Sequence, residues 1–307
     1  MSKFLQGAAA VPTIGKAALA ILSLAALSAC GGGDSTPPTS TVSSSSVAAT
    51  RYGSPAVISI AGTNLDSSGL SVTSSGCKNM TRSTSGQLTS TATNAYYTCT
   101  VSGAFSSNVV IQSNGATIAS APFTVPAPQV TFTVSNGLGV SGAIVLTLMG
   151  DKVPTTVDNF LSYVNKTPSF YKGTIFHRVA KLITDQSHYF VIQGGGYGAT
   201  VNGQLPAHKA TDTPIGIETA GGNNVQWSVA MANAGPGTVT SEFFFNAVDN
   251  TSILGNGYSV FGNITTGIDV AQSILAAPAS CTNNALAGTV DCLPQPDVTI
   301  TDATQTR

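Results

Sequence analysis

Short runs of alternating apolar and polar residues, punctuated by turn formers, restrict this chain to a mainly β fold. Between Arg51 and Pro126 they recur as Ala56-Val57-Ile58-Ser59-Ile60, Leu70-Ser71-Val72-Thr73, Tyr96-Tyr97-Thr98-Cys99-Thr100-Val101, Asn108-Val109-Val110-Ile111-Gln112 and Ala121-Pro122-Phe123-Thr124-Val125. Successive side chains of a strand point to opposite faces, so a period of two buries one face and solvates the other. Turn residues separate the runs at the spacing of a small sandwich, and no helical period is present there. Pro126-Ala127-Pro128 is a stiff hinge. Beyond it, Val130-Thr131-Phe132-Thr133-Val134 and Gly142-Ala143-Ile144-Val145-Leu146-Thr147-Leu148 open a second set of strands. Helical spacing is confined to two places. Val153, Val157, Phe160, Leu161 and Val164 share one face behind Pro154, which suits a first helical turn. Ile268, Ala271, Ile274 and Leu275 form a shorter one. The expected organisation is two β domains, residues 51–126 and residues 129–303.

Only 8% of the 307 residues are charged and the formal net charge is −1, so the chain lacks the basic stripe a nucleic-acid partner needs. Residues 1–30 read as a targeting segment, with Lys3, Lys16 and the apolar stretch Ala17–Ala26. The segment ends in Leu27-Ser28-Ala29-Cys30-Gly31, which resembles the lipobox of bacterial lipoproteins. That resemblance implies a lipid on Cys30. Gly31 rather than Asp after the cysteine implies the outer membrane, with the protein facing the periplasm. Residues 31–50 are almost wholly Gly, Ser, Thr and Pro, and are expected to form a disordered tether. Five cysteines are an odd number. With Cys30 assigned to lipid, Cys77–Cys99 and Cys281–Cys292 are expected as two local disulfides in an oxidising compartment. These cysteines lack the close pairs that zinc sites use, and no metal is expected.

Five strings occur in order: Phe176-His177-Arg178, Phe190-Val191-Ile192-Gln193-Gly194-Gly195, Met231-Ala232-Asn233-Ala234-Gly235-Pro236, Ser241-Glu242-Phe243-Phe244-Phe245-Asn246 and Gly257-Tyr258-Ser259-Val260-Phe261-Gly262. Together they resemble the cyclophilin family of peptidyl-prolyl cis-trans isomerases, over roughly Val130 to Asp302. The resemblance implies an antiparallel β-barrel closed at each end by a helix. In the first domain, Gly62-Thr63-Asn64-Leu65 after a strand is similar to the IPT/TIG class of immunoglobulin-like modules, implying a spacer or interaction role.

Prolyl isomerisation breaks no sigma bond; its obstacle is amide resonance, a barrier of about 18–20 kcal/mol. Twisting the amide localises a lone pair on the prolyl nitrogen, and a fixed cationic donor beside it favours the twisted form over both planar ones. The family motif assigns that role to Arg178. It makes Phe190, Phe244, Leu254 and Tyr258 the proline pocket and Gln193 a hydrogen-bond partner of the substrate backbone that orients Arg178. Asn233, between the small Ala232 and Ala234, clamps the peptide, and His177 and Val191 join the substrate-binding set. Glu242 stands where many members have glutamine, and two readings stay open: it pairs with Arg178 and holds it, or it weakens its field. The connection from Val179 to Tyr189, carrying Lys181, Asp185 and His188, is longer than usual and is expected to form a larger loop beside the cleft. His177, His188, His208 and Asp185 fit no standard metal spacing. No cofactor is implied. The expected partners are proline-containing segments of exported or outer-membrane proteins, reached by a monomer on a lipid anchor. The alternative is a non-catalytic proline-peptide-binding or chaperone protein on the same scaffold, or an envelope protein acting through its first module.

Overall fold

A computed structural model describes residues 36–48, 51–102, 106–277, 279–285 and 287–307. Cys30 and the targeting segment lie outside the described residues. Residues 37–307 form one compact unit.

The first seven strands are β1 (Thr41–Ala48), β2 (Pro55–Thr63), β3 (Leu70–Ser74), β4 (Cys77–Arg82), β5 (Asn94–Val101), β6 (Ser106–Ser113) and β7 (Ala116–Thr124). They make two antiparallel sheets, ordered β1-β2-β5-β4 and β3-β6-β7. The period of two decides which residues are inside. Ala56, Ile58 and Ile60 of β2, Ala95, Tyr97, Cys99 and Val101 of β5, and Val109 and Ile111 of β6 are all buried in one apolar cluster. The Cys77–Cys99 disulfide joins β4 to β5.

The tether expected over residues 31–50 is corrected here, because Thr41–Ala48 is a strand paired along β2 from Thr41↔Thr63 to Ala48↔Val57. A ladder is held by backbone groups, which serine supplies as well as any residue. Val42 and Val47 pack against the core, and the buried Ser40 donates its Oγ to the Asn64 carbonyl at 2.8 Å.

The remaining strands are β8 (Gln129–Ser135), β9 (Ser141–Leu148), β10 (Arg178–Leu182), β11 (Tyr189–Gly194), β12 (Ser228–Met231), β13 (Phe243–Asn246), β14 (Val260–Thr266), β15 (Ala279–Asn284), β16 (Thr289–Pro294) and β17 (Thr299–Gln305). They form one antiparallel sheet in the order β15-β16-β10-β11-β13-β12-β14-β9-β8-β17. This is a linear order rather than the closed ladder expected of the barrel. Backbone bonds nevertheless run from the last strand to the segment entering β10: Gly173 N–H to the Ile300 carbonyl at 2.8 Å, Ile300 N–H to Thr174 at 2.8 Å, and Phe176 N–H to Val298 at 2.9 Å.

One face of this sheet encloses an aromatic core. Phe132, Phe160, Tyr171, Phe176, Phe243, Phe245 and Phe261 are all fully buried. Helix α1 (Pro154–Val164) supplies Phe160 from the apolar face read in the sequence and buries Tyr163 in addition, with proline in its first turn. A single turn, α2 (Thr251–Leu254), sits beside the cleft described below. Helix α3 (Ile268–Ala276) buries Ala271 and Ile274.

Pro126–Pro128 does not separate two independent bodies. Tyr52 is 2% exposed, its Oη donates to Asp158 of α1 at 2.7 Å, and its carbonyl accepts Gln305 Nε2 at 2.9 Å.

Candidate active site

The opposite face of the sheet carries a second, smaller apolar cluster of Ala180, Phe190, Val191, Ala230, Phe244 and Val260, with Leu182, Ala232, Leu254 and Tyr258 packed against it. Alternation explains the division: Phe243 and Phe245 point into the core while Phe244, between them, points out. The register lines up a row across four strands: Arg178 opposite Gln193, Gln193 opposite Phe244, and Phe244 opposite Ala230. Phe190 and Val191 are neighbours in sequence yet share this cluster. The β10–β11 register shifts between Ala180↔Val191 and Lys181↔Tyr189, a bulge that re-aims a side chain. Asn250, fully buried, fixes the position of Phe190 by donating Nδ2 to its carbonyl at 2.7 Å. It also caps the turn that carries Leu254, whose N–H donates to the Asn250 carbonyl at 2.9 Å.

These side chains line a cleft with a volume of about 360 Å³. Of the expected site residues, Arg178, Phe190, Val191, Gln193, Ala232, Asn233, Phe244, Leu254 and Tyr258 meet in it. Phe244 and Tyr258 close one wall edge to face, ring centroids 5.2 Å apart. Asn233 is held at the rim by its own amide, which donates to the Gly257 carbonyl at 3.0 Å and accepts from Gly235 N–H at 3.0 Å. Ala234 and Glu242 lie instead on an adjoining hollow of about 300 Å³ that shares Gln193, Ala232 and Asn233 with the cleft. The larger loop expected from Val179 to Tyr189 is corrected here: Val179–Leu182 continue β10, only residues 183–188 connect it to β11, and the Arg178–Gln193 register is intact.

Arg178 is the only cation lining the cleft among the described residues. Its Nη1 donates to Gln193 Oε1 at 3.0 Å and its Nε to Asp291 Oδ1 at 2.7 Å. Gln193 turns its Nε2 to Glu242 Oε2 at 2.6 Å, and the other Glu242 oxygen meets His208 Nε2 at 2.7 Å. Glu242 therefore touches Arg178 only through Gln193, and the carboxylate paired directly with the guanidinium is Asp291. Gly196 makes room for this chain: a Cβ there would sit 2.3 Å from Glu242 Oε1. Burial of Asp291 works against its charge, but hydrogen bonds from Asn284, Arg178 and Thr289 and the charge of Arg178 prevail and hold its pKa below the usual carboxylate range.

His177 is placed away from the cleft. It is 8% exposed, its ring packs edge to face on Tyr197 at 4.7 Å, and its Nε2 is 3.6 Å from Glu242. Burial lowers its pKa to about 4, against the pull of Glu242 and helped by Arg178 and His208, so it is neutral near pH 7. Its place is behind the network, outside the lining of the cleft. Asp291 was not legible as a site residue. Its only sequence signal is its place beside Cys292, whose bridge to Cys281 closes the β15–β16 hairpin.

Residues 129–305 match the family model described as cyclophilin type peptidyl-prolyl cis-trans isomerase/CLD. The chain is 38% identical over 145 residues to a peptidyl-prolyl cis-trans isomerase of Acinetobacter baylyi, a match covering 45% of this chain and 70% of that protein. It is 41% identical over 143 residues to peptidyl-prolyl cis-trans isomerase cyp18 of Streptomyces antibioticus, covering 44% and 78%. With peptidyl-prolyl cis-trans isomerase B of Escherichia coli the identity is 39% over 142 residues, covering 43% and 78%.

Proposed function

The chain belongs to the cyclophilin-type family of peptidyl-prolyl cis-trans isomerases, and on that premise we propose that it accelerates X-Pro rotation through Arg178. One observation carries the reading: a guanidinium anchored at two of its nitrogens lines a cleft of about 360 Å³ that also exposes the apolar cluster of Phe190, Val191 and Phe244. The proline ring enters between Phe190, Phe244, Leu254 and Tyr258, and the clamp at Asn233 holds one flank of the peptide. The other flank turns. As the amide twists, the prolyl nitrogen gains a localised lone pair, and Arg178 donates to it. In the planar cis and trans amides that lone pair is delocalised and accepts no such bond, so the interaction lowers the barrier rather than merely tightening binding. Two anchors already made in the free protein spare the reorganisation that water would require.

The reading extends to the cell envelope. Cys30 carries a lipid, residues 51–126 form an immunoglobulin-like spacer, the ten-strand sheet serves as a barrel, and the substrates are proline-containing segments of exported proteins. Support comes from the Leu27–Gly31 string and from two disulfides, which persist in oxidising compartments. The test is cis-to-trans conversion of an Ala-Pro-Phe peptide by the full chain beside Arg178→Ala. Acceleration that survives the substitution sinks the mechanism.

A further inference from the structure

Strand β16 joins the sheet at β10, pairing Val179↔Cys292 and Ala180↔Asp291. Alternation turns Val290 and Cys292 inward, at 8% and 1% exposed, and leaves Thr289 and Asp291 on the face that carries Arg178 and Ala180. Asp291 is thus the diagonal neighbour of Arg178 across the ladder, within reach of a long side chain. From the geometry we infer that Asp291 is a positioning residue for Arg178, and that the β15–β16 hairpin is the arm that holds it. The inference rests on the catalytic reading of Arg178.

Three side chains fix the carboxylate. Oδ1 accepts Arg178 Nε at 2.7 Å and Thr289 Oγ1 at 3.0 Å, and Oδ2 accepts Asn284 Nδ2 at 3.0 Å. Asn284 comes from β15, which pairs with β16 along its length, and the Cys281–Cys292 disulfide ties together two directly opposed residues of that pairing. Asp291 sits next to the bridge. The guanidinium and the carboxylate are 24% and 23% exposed, so the contact is screened less than a surface pair. A guanidinium has five N–H donors. The bonds to Asp291 and Gln193 fix its plane from two corners and leave donors over for the cleft. Asp291 has two opposed effects on catalysis: its negative charge dampens the field of Arg178, and its hydrogen bond removes rotational freedom. The short, charge-assisted bond through Nε, on the side chain's stem, makes orientation the larger effect.

The experiment is a double-mutant cycle on kcat and KM with a proline-containing test peptide. It uses the full chain as wild type, Arg178→Ala, Asp291→Ala, Asp291→Asn and the two combined variants, each checked for folding by thermal unfolding. Asp291→Ala is expected to lower kcat about tenfold with KM nearly unchanged, within the ~100-fold that misplacement of a catalytic group costs. Asp291→Asn keeps an acceptor oxygen and is expected to lose about threefold, because a neutral acceptor is roughly half as strong. On the Arg178→Ala background neither substitution is expected to cost anything further. If Arg178→Ala is as active as wild type, the catalytic reading falls and takes this inference with it. If Arg178→Ala is impaired while the Asp291 variants match or exceed wild type, the inference alone falls. An equal loss on both backgrounds also overturns it, since a purely structural role would act whether or not Arg178 is present. Should Asp291→Ala fail to fold, Asp291→Asn and its combination with Arg178→Ala decide the same question.

Discussion

Phe243 and Phe244 are adjacent, chemically identical and both buried, yet their truncation to alanine should have opposite consequences. Phe243 is fully buried at the centre of the aromatic core, with ring centroids of Phe132, Phe245, Tyr171, Phe160 and Phe176 at 5.3, 5.4, 5.6, 5.9 and 6.1 Å. Phe243→Ala opens a closed cavity among rings that cannot collapse onto it, and such losses cost about 3–5 kcal/mol. At roughly 2–4 °C per kcal/mol for a unit of this size, the melting temperature should drop by about 6–20 °C. Phe244 is 4% exposed but faces the cleft, where Tyr258 is its ring partner at 5.2 Å. Its removal widens an existing opening instead of creating a void, so only the transfer free energy is lost, about 2 kcal/mol. Activity should respond the other way. Phe243→Ala, assayed well below its melting point, should retain a wild-type KM, whereas Phe244→Ala should raise KM for a proline peptide about tenfold, the equivalent of about 1.4 kcal/mol of lost contact. Thermal unfolding and isomerisation kinetics on the two variants read both quantities. A reversed order, or equal effects on stability and KM, would show that β13 is not in the register described and would refute the two-faced sheet.

Two further outcomes are expected. Gln193→Ala removes the bond to Arg178 Nη1 and leaves Asp291 as its one remaining side-chain anchor among the described residues, so kcat should fall about tenfold, about 1.4 kcal/mol, while the melting temperature moves little; a change confined to KM would contradict the orienting role. His177 is neutral in the fold, with a pKa of about 4 against 6.5 when free, so the unfolded chain binds the proton first. Folding stability should therefore fall as pH drops from about 6.5 to 4, by on the order of 2–4 kcal/mol. Urea unfolding at pH 7 and pH 5 should show a steeper loss in wild type than in His177→Gln, and identical slopes would contradict the burial of a neutral ring.

Local periodicity carried most of the architecture. The face Val153-Val157-Phe160-Leu161-Val164 became α1, and the alternating runs became strands, because burial on one side is written into residue spacing. Thr41–Ala48 was illegible for the opposite reason. Its serines carry no pattern, and its place is set by the ladder of β2. Arg178, Phe190, Gln193, Asn233, Phe244 and Tyr258 were legible as family strings, but Leu182, Ile253, Ala287 and Thr289, which also line the cleft, and the partners of Arg178 were not. Asp291 lies 113 residues from Arg178 and meets it only because β16 pairs with β10. Glu242 could not be assigned between its two readings from sequence, since that depended on whether Gln193 stood between it and the guanidinium. His177 is next to Arg178 in the motif but precedes the first residue of β10, and the structure places it behind the network, outside the cleft.

The most direct test separates binding from rotation at Arg178. Peptide affinity, read by titration, and the exchange rate of bound cis and trans forms, read by NMR line shape, would be measured on wild type, Arg178→Ala and Arg178→Lys. The account predicts a near-wild-type Kd for all three, an exchange rate about a hundredfold slower for alanine, and little rescue by lysine, which keeps the charge without the anchored planar fork. A weakened Kd with an unchanged exchange rate would make Arg178 a binding residue and contradict the central claim.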